Sequence, residues 1–124
     1  FNLSDSSIMW KDDLKIKLLD SQLSYDENEI SLLGRADIEV KDIEDFYKSF
    51  QIKKKSRKSI DKIQFDFYFN FDQQKINFDN VKIDNKSNDK LNEFLDNFNS
   101  TEKKFFNKIS FKNFVNNFFG SYAG

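Results

Sequence analysis

The chain has no histidine, no cysteine and no proline, and only 3 glycines among its 124 residues. Without His, the commonest general base and the commonest metal ligand disappear together. Without Cys there is no disulfide framework and no thiolate metal site. No glycine-rich phosphate loop and no nucleophile elbow can be found in the sequence. Hydrolysis by paired carboxylates needs none of these, but here Asp and Glu are scattered over polar faces and turns, with no pair set apart by spacing. No enzymatic activity, catalytic residue, metal or cofactor is therefore expected.

A charge of one sign is lacking too. Lys plus Arg number 20 and Asp plus Glu 21, a formal net charge of −1. A general nucleic-acid binder normally carries a basic excess, so nucleic acid is not expected as a partner. The run Lys53–Lys58, KKKSRK, is the local exception. Lipid head groups or nucleic acid could use it, but the overall balance favours a solvated loop. No apolar run approaches the roughly 18–20 residues of a membrane span, and no secretory signal stands at the start. The chain begins at Phe1 rather than Met, which suggests a processed product or the C-terminal piece of a longer protein, so a missing signal does not count against export.

Phenylalanine is what the chain does have, with 16 copies in a sequence that is 38% apolar. The length suits one domain. A few large rings must supply most of its core, each worth roughly 1.5–3 kcal/mol when fully buried. An AT-biased genome accounts for part of the Phe and Asn excess.

The clearest pattern runs from Lys62 to Asp84. Ile63, Phe65, Phe67, Phe69 and Phe71 alternate with Lys62, Gln64, Asp66, Tyr68 and Asn70, the signature of a half-buried strand. Asp72-Gln73-Gln74 breaks the alternation, and Ile76 and Phe78 resume it, so a hairpin is expected. The apolar phase then slips to Val81 and Ile83. Asp79, Asn80, Asp84 and Asn85 lack the Gly and terminal Glu of a calcium loop and read as turn and bulge residues.

Upstream, a short strand is expected before Asp13. Leu14, Ile16 and Leu18 form a further strand. Its apolar set continues as Leu19, Leu23 and Tyr25, which predicts a bulge near Leu18-Leu19. After the turn Asp26-Glu27-Asn28, the segment Glu29–Lys41 places Ile30, Leu32, Gly34, Ala36, Ile38 and Val40 on one face. Asp42 is a candidate N-cap for a short helix from about Ile43 to Gln51.

Further on, Leu91, Phe94, Leu95 and Phe98 are spaced for an amphipathic helix capped by Ser87 or Asn88. Ser100 can cap a turn carrying Phe105 and Phe106. Ser110 can cap a last helix with the stripe Phe111, Phe114, Val115, Phe118 and Phe119, ending at Gly120. That helix either covers the sheet or lies on a membrane, and its Asn-rich polar face favours the first.

The expected fold is α+β: a curled antiparallel sheet of about 4–5 strands, with short helices, mostly C-terminal, packed on or capping it. Residues 1–124 are read as one domain, mainly β with one short helix over 1–84 and a helical cap over 88–120. Strand, turn, strand and helix occur twice, so two similar hairpin-plus-helix units are conceivable.

At this level of pattern the chain resembles the AsmA-like (AsmA/TamB-type) proteins of the bacterial envelope. Three segments carry the likeness: LLGRADIEVKDIEDFYKSF (Leu32–Phe50), KINFDNVKIDN (Lys75–Asn85) and the closing FKNFVNNFFGSYAG (Phe111–Gly124). The resemblance implies the C-terminal region of a longer periplasmic protein, tethered to the inner membrane by an N-terminal anchor that this chain lacks. It also implies a part in phospholipid transport or outer-membrane assembly. The inward strand faces would then line an apolar groove, here Ile30, Leu32, Ile38, Val40, Ile63, Phe65, Phe67, Phe69, Phe71, Ile76 and Phe78. Phospholipid and the upstream sheet of the same protein are the implied partners. The alternative is a protein-interaction module that docks an envelope partner through an exposed strand edge or the Phe-rich last helix.

Overall fold

The computed structural model of the chain describes residues 6–100 and 107–124. The turn expected at Phe105 and Phe106 lies outside them. The elements are β1 (Ser6–Trp10), β2 (Leu14–Asp26), β3 (Glu29–Val40), α1 (Ile43–Ser49), a 3-10 turn (Lys54–Ser56), β4 (Lys62–Asn70), β5 (Lys75–Ile83), β6 (Lys86–Ser87), α2 (Asp89–Asn99) and α3 (Lys108–Ala123). The fold is α+β. Six antiparallel strands lie in chain order in one open sheet; β1 is the short strand expected before Asp13, and the two-residue edge strand β6 takes the number past the expected four or five.

Glycine scarcity decides how this chain turns. None of its glycines has a positive φ; instead Asn, Asp, Gln, Glu and Lys supply the left-handed residues. Glu27 and Asn28 make a two-residue turn between β2 and β3, and Asp84 and Asn85 do the same between β5 and β6. Single left-handed residues also make the two bulges. Asp20 (φ 53) and Ser21 sit where the β2–β3 register shifts, and Asn80 (φ 55) where the β4–β5 register shifts. The second bulge is the physical reason that Phe78 and Val81 share a face. The first lies at Asp20-Ser21 rather than Leu18-Leu19. Leu19 consequently pairs with Arg35 on the charged face and does not join Leu23 and Tyr25.

Gly34 is required by a close approach. The bulge presses Ser21 onto it, so an added Cβ would stand 2.8 Å from Ser21 Oγ and 3.1 Å from the ring of Phe67, the residue paired with it on β4. On the opposite face of the sheet, the ion pairs Lys17–Glu39 (3.4 Å), Lys62–Asp37 (3.4 Å) and Arg35–Asp66 (3.6 Å) run across the strands. The exposed pairs Lys17–Glu39 and Arg35–Asp66 contribute roughly 0–1 kcal/mol each, while Lys62–Asp37 is partly buried.

The helices follow local capping chemistry. Asp42 caps α1 by accepting from Asp45 N (3.0 Å), and Asn88 caps α2 by accepting from Leu91 N (3.0 Å). α1 stops at Ser49, short of the expected Gln51. Gln51 is left-handed, and Ile52 N donates to Tyr47 O while Gln51 N donates to Lys48 O, a Schellman stop sealed by buried Ile52. α3 begins earlier than expected, because Asn107 is the cap and Ser110 is its reciprocal partner three residues on. It also runs through Gly120 to Ala123, since Gly120 keeps a helical backbone.

Asparagine does structural work along β5. Asn99 of α2 donates to Phe78 O (2.9 Å) and accepts from Phe78 N (3.0 Å), and Asn92 accepts from Val81 N (3.1 Å). These side-chain amides complete the backbone of β5 beyond the reach of the short strand β6, which holds α2 against the sheet and covers an open edge.

Candidate functional site

The pairing registers place the apolar residues in rows across one sheet face. One row is Ile8–Ile16–Ile38–Ile63–Ile83, and beside it Trp10, Leu14 and Val40 line up. At the other end the rows are Leu23–Leu32–Phe69–Ile76 and Tyr25–Ile30, the latter joined to Phe71 by its N–H donating to Ile30 O (2.9 Å). Between them Phe67 covers Gly34. Among the described residues, the helices pack over the first end. The core cluster joins Leu14, Ile63, Val81 and Ile83 to Phe46, Tyr47, Leu91, Leu95, Val115 and Phe119. At the far end Tyr25 is 70% exposed, Phe71 46% and Ile30 41%.

Under the helices the packing leaves a cavity of about 260 Å³. Its sheet wall is Trp10, Leu14, Ile16, Ile38, Val40, Ile63, Phe65, Phe78 and Val81; its helical wall is Ile43, Phe46, Phe50, Leu95, Phe111, Phe114, Val115, Phe118 and Phe119. Every lining side chain is apolar. A sealed, empty void of this size would cost about 6 kcal/mol at roughly 24 cal/mol per Å³. That rivals the whole stability of an ordinary domain, about 5–15 kcal/mol. This cavity is instead open along part of its boundary, so an apolar guest can reach it.

The residues expected to line a groove therefore divide. Ile38, Val40, Ile63, Phe65 and Phe78 line the cavity. Phe67 and Ile76 are buried outside it, Leu32 and Phe69 are half-buried, and Ile30 and Phe71 are exposed. Sequence reasoning missed the contribution of β1, β2 and all three helices. Their apolar stripes were visible, but only as a cover for the strands. Phe114 shows their actual part: its ring lies 5.7 Å from Phe78, 4.8 Å from Phe98 and 5.6 Å from Phe94, joining α2, α3 and β5.

At the covered end, the β1–β2 turn clasps α1. Lys11 Nζ donates to Ser49 Oγ (2.8 Å) and lies 5.2 Å from the centre of the Trp10 ring, and Asp13 O accepts from Lys41 N (2.6 Å). The Asp13 carboxyl is buried, and a hydrogen bond shared with Asp45, reinforced by burial and by the Asp45 charge, pushes its pKa up to about 6. At the open end, Glu29 accepts from Gln73 (2.7 Å) and Asn70 (2.9 Å), which hold its carboxyl below the usual glutamate range. Asp72 accepts from Ile30 N, so the two hairpin tips are tied by polar groups.

Among the described residues, no group of three or more acidic side chains could hold a metal ion, and no helix is long and apolar enough to cross a membrane. No protein-family model, curated protein or solved structure matches the chain. Its chemistry is read from this geometry: an apolar cavity and, beside it, an uncovered apolar surface on one sheet face.

Proposed function

We propose that the protein is a non-enzymatic segment of the bacterial cell envelope, AsmA-like in character, that contacts phospholipid through the apolar face of its sheet. The observation that carries the reading is the uncovered end of that face, where Ile30 and Phe71 stand exposed on a rigid, hydrogen-bonded sheet. Contiguous exposed apolar surface of this kind marks a site of lipid or protein contact. A place in the periplasm, tethered through an upstream anchor, and a part in phospholipid transport or outer-membrane assembly follow from the resemblance of Leu32–Phe50, Lys75–Asn85 and Phe111–Gly124. The test is native mass spectrometry of protein isolated from membranes in mild detergent. Phospholipid should co-isolate with the wild type and be lost from a folded Ile30→Asp, Phe71→Asp variant. A lipid-free wild type, or retention unchanged in the variant, sinks the reading.

A second reading rests on β1. Ser6–Trp10 carries no charge, it forms one edge of the sheet, and Ile8 and Met9 are exposed. Such an edge invites a further strand, from the same longer protein or from an envelope partner. A Met9→Pro substitution that abolished capture of a partner without changing lipid retention would favour this reading.

A further inference from the structure

The cavity beneath the helices is separate from the uncovered end of the sheet and has its own chemistry. It offers no polar side chain, so nothing in it would hold water or a head group. Its walls draw on β1 through β5, whose strands span about 19 Å at roughly 4.8 Å per step. A space of about 260 Å³ lined from all five of these strands suits an extended apolar chain. Phe111, 39% exposed, stands at its rim next to Phe50, with the rings 5.8 Å apart, and Trp10 lies 5.4 Å from Phe50 on the other side. Three aromatic rings from β1, α1 and α3 thus frame one edge of the cavity. On the sheet side of that edge, exposed Ile8 is paired with the lining residue Ile16.

We propose that this cavity is a binding site for a single unbranched hydrocarbon tail of roughly eight to ten carbons, a length set by filling the volume with groups about the size of a water molecule. The tail enters between Ile8 and Phe111, passes over Ile38 and Ile63, and ends beneath Leu95. Its polar head remains outside, because the walls have nothing to pair with it. The inference rests on the reading that the sheet face contacts lipid, and it adds a defined pocket for the tail of one short-chain amphiphile. The occupant is one chain of an amphiphile and not a patch of bilayer.

Thermal unfolding of the full chain in a series of linear alkanols, from hexanol to tetradecanol below their solubility limits, tests this. Stabilisation should peak at octanol and decanol and fall away at tetradecanol. Val115→Phe, which fills the cavity from α3, should weaken the decanol effect about tenfold in apparent affinity. Ile16→Phe fills it from the half-buried edge and serves if Val115→Phe does not fold. No stabilisation at any length overturns the proposal. So does a rise that continues with chain length and survives the filling variant, since that is non-specific partitioning. The Ile30→Asp, Phe71→Asp variant separates the two ideas. Loss of phospholipid there with a flat alkanol series leaves the sheet-face reading standing and removes the pocket. A length optimum with unchanged phospholipid retention does the reverse.

Discussion

At one end of the sheet, Leu14, Ile63 and Ile83 lie under three helices and are almost wholly buried. At the other, Tyr25, Ile30 and Phe71 project from the same face into solvent. Both ends belong to the same long strands and carry the same alternation. What differs is cohesion. The covered end is held by rings, such as Tyr47 and Phe119 edge-to-face at 5.2 Å. The open end is held by the amide and carboxylate contacts of Glu29, Asn70, Asp72 and Gln73. Strand pairing and these polar contacts keep the open end in shape, which frees Tyr25, Ile30 and Phe71 for something other than the core.

The largest break in this comparison is at the covered end. Phe119 touches Phe46, Tyr47 and Phe118 and is fully buried. Phe119→Ala should cost about 3–5 kcal/mol, read as a fall in the denaturation midpoint. Next comes the boundary between the two ends. Gly34→Ala forces a Cβ to within 3.0 Å of the Ser21 backbone, where a flexible side chain cannot simply swing aside. An overpacking cost of about 1–3 kcal/mol is expected, and Ser21→Gly in the same chain should recover part of it. A cost within measurement error for Gly34→Ala would mean that the bulge relaxes freely.

Asn99→Ala should follow, at about 1–3 kcal/mol, because it leaves both backbone groups of Phe78 without their partner. Its signature is fast amide exchange at Phe78, with the β2–β3 amides unchanged.

This contact also marks where the sequence stopped being legible. The strands were readable because period-two alternation survives any choice of neighbour, and the caps Asp42 and Asn88 because an N-cap is a local bond. Asn92 and Asn99 looked like codon bias, since a helix face read alone does not reveal that it lies along a strand edge. The bulges were legible as slips of phase but not as positions, because Leu19 is apolar and sits on the charged face. For the site, the Phe wall was legible as a face. Which of its residues are covered depends on where α1, α2 and α3 come to rest, and no spacing in the chain encodes that.

The two ends should respond to pH in opposite directions. Asp13 has a folded pKa of about 6, above its ordinary value near 3.8, so its contribution is fully present below that ordinary value and is lost as pH rises through about 6. Glu29 is lowered from its ordinary value of 4.5, so its contribution is present above that value and is lost as pH falls through the folded pKa. Protection of the amides at the Lys41–Asp42 junction, measured relative to their intrinsic exchange rates, should therefore fall between about pH 4 and 7, and protection near Gln73 should fall only under stronger acid. Asp13→Asn should flatten the first response and leave the second untouched.

The smallest effect is the most telling one. Phe71→Ser removes a large ring from the open end, where nearly half of it already meets water. Its stability cost should be within about 0.5 kcal/mol, against several for Phe119→Ala on the same fold. A cost of several kcal/mol for Phe71→Ser as well would mean that the open end is cohesive core after all, and its exposed rings would lose their standing as a contact surface. A negligible cost combined with loss of phospholipid retention would mean that this ring serves contact and not folding.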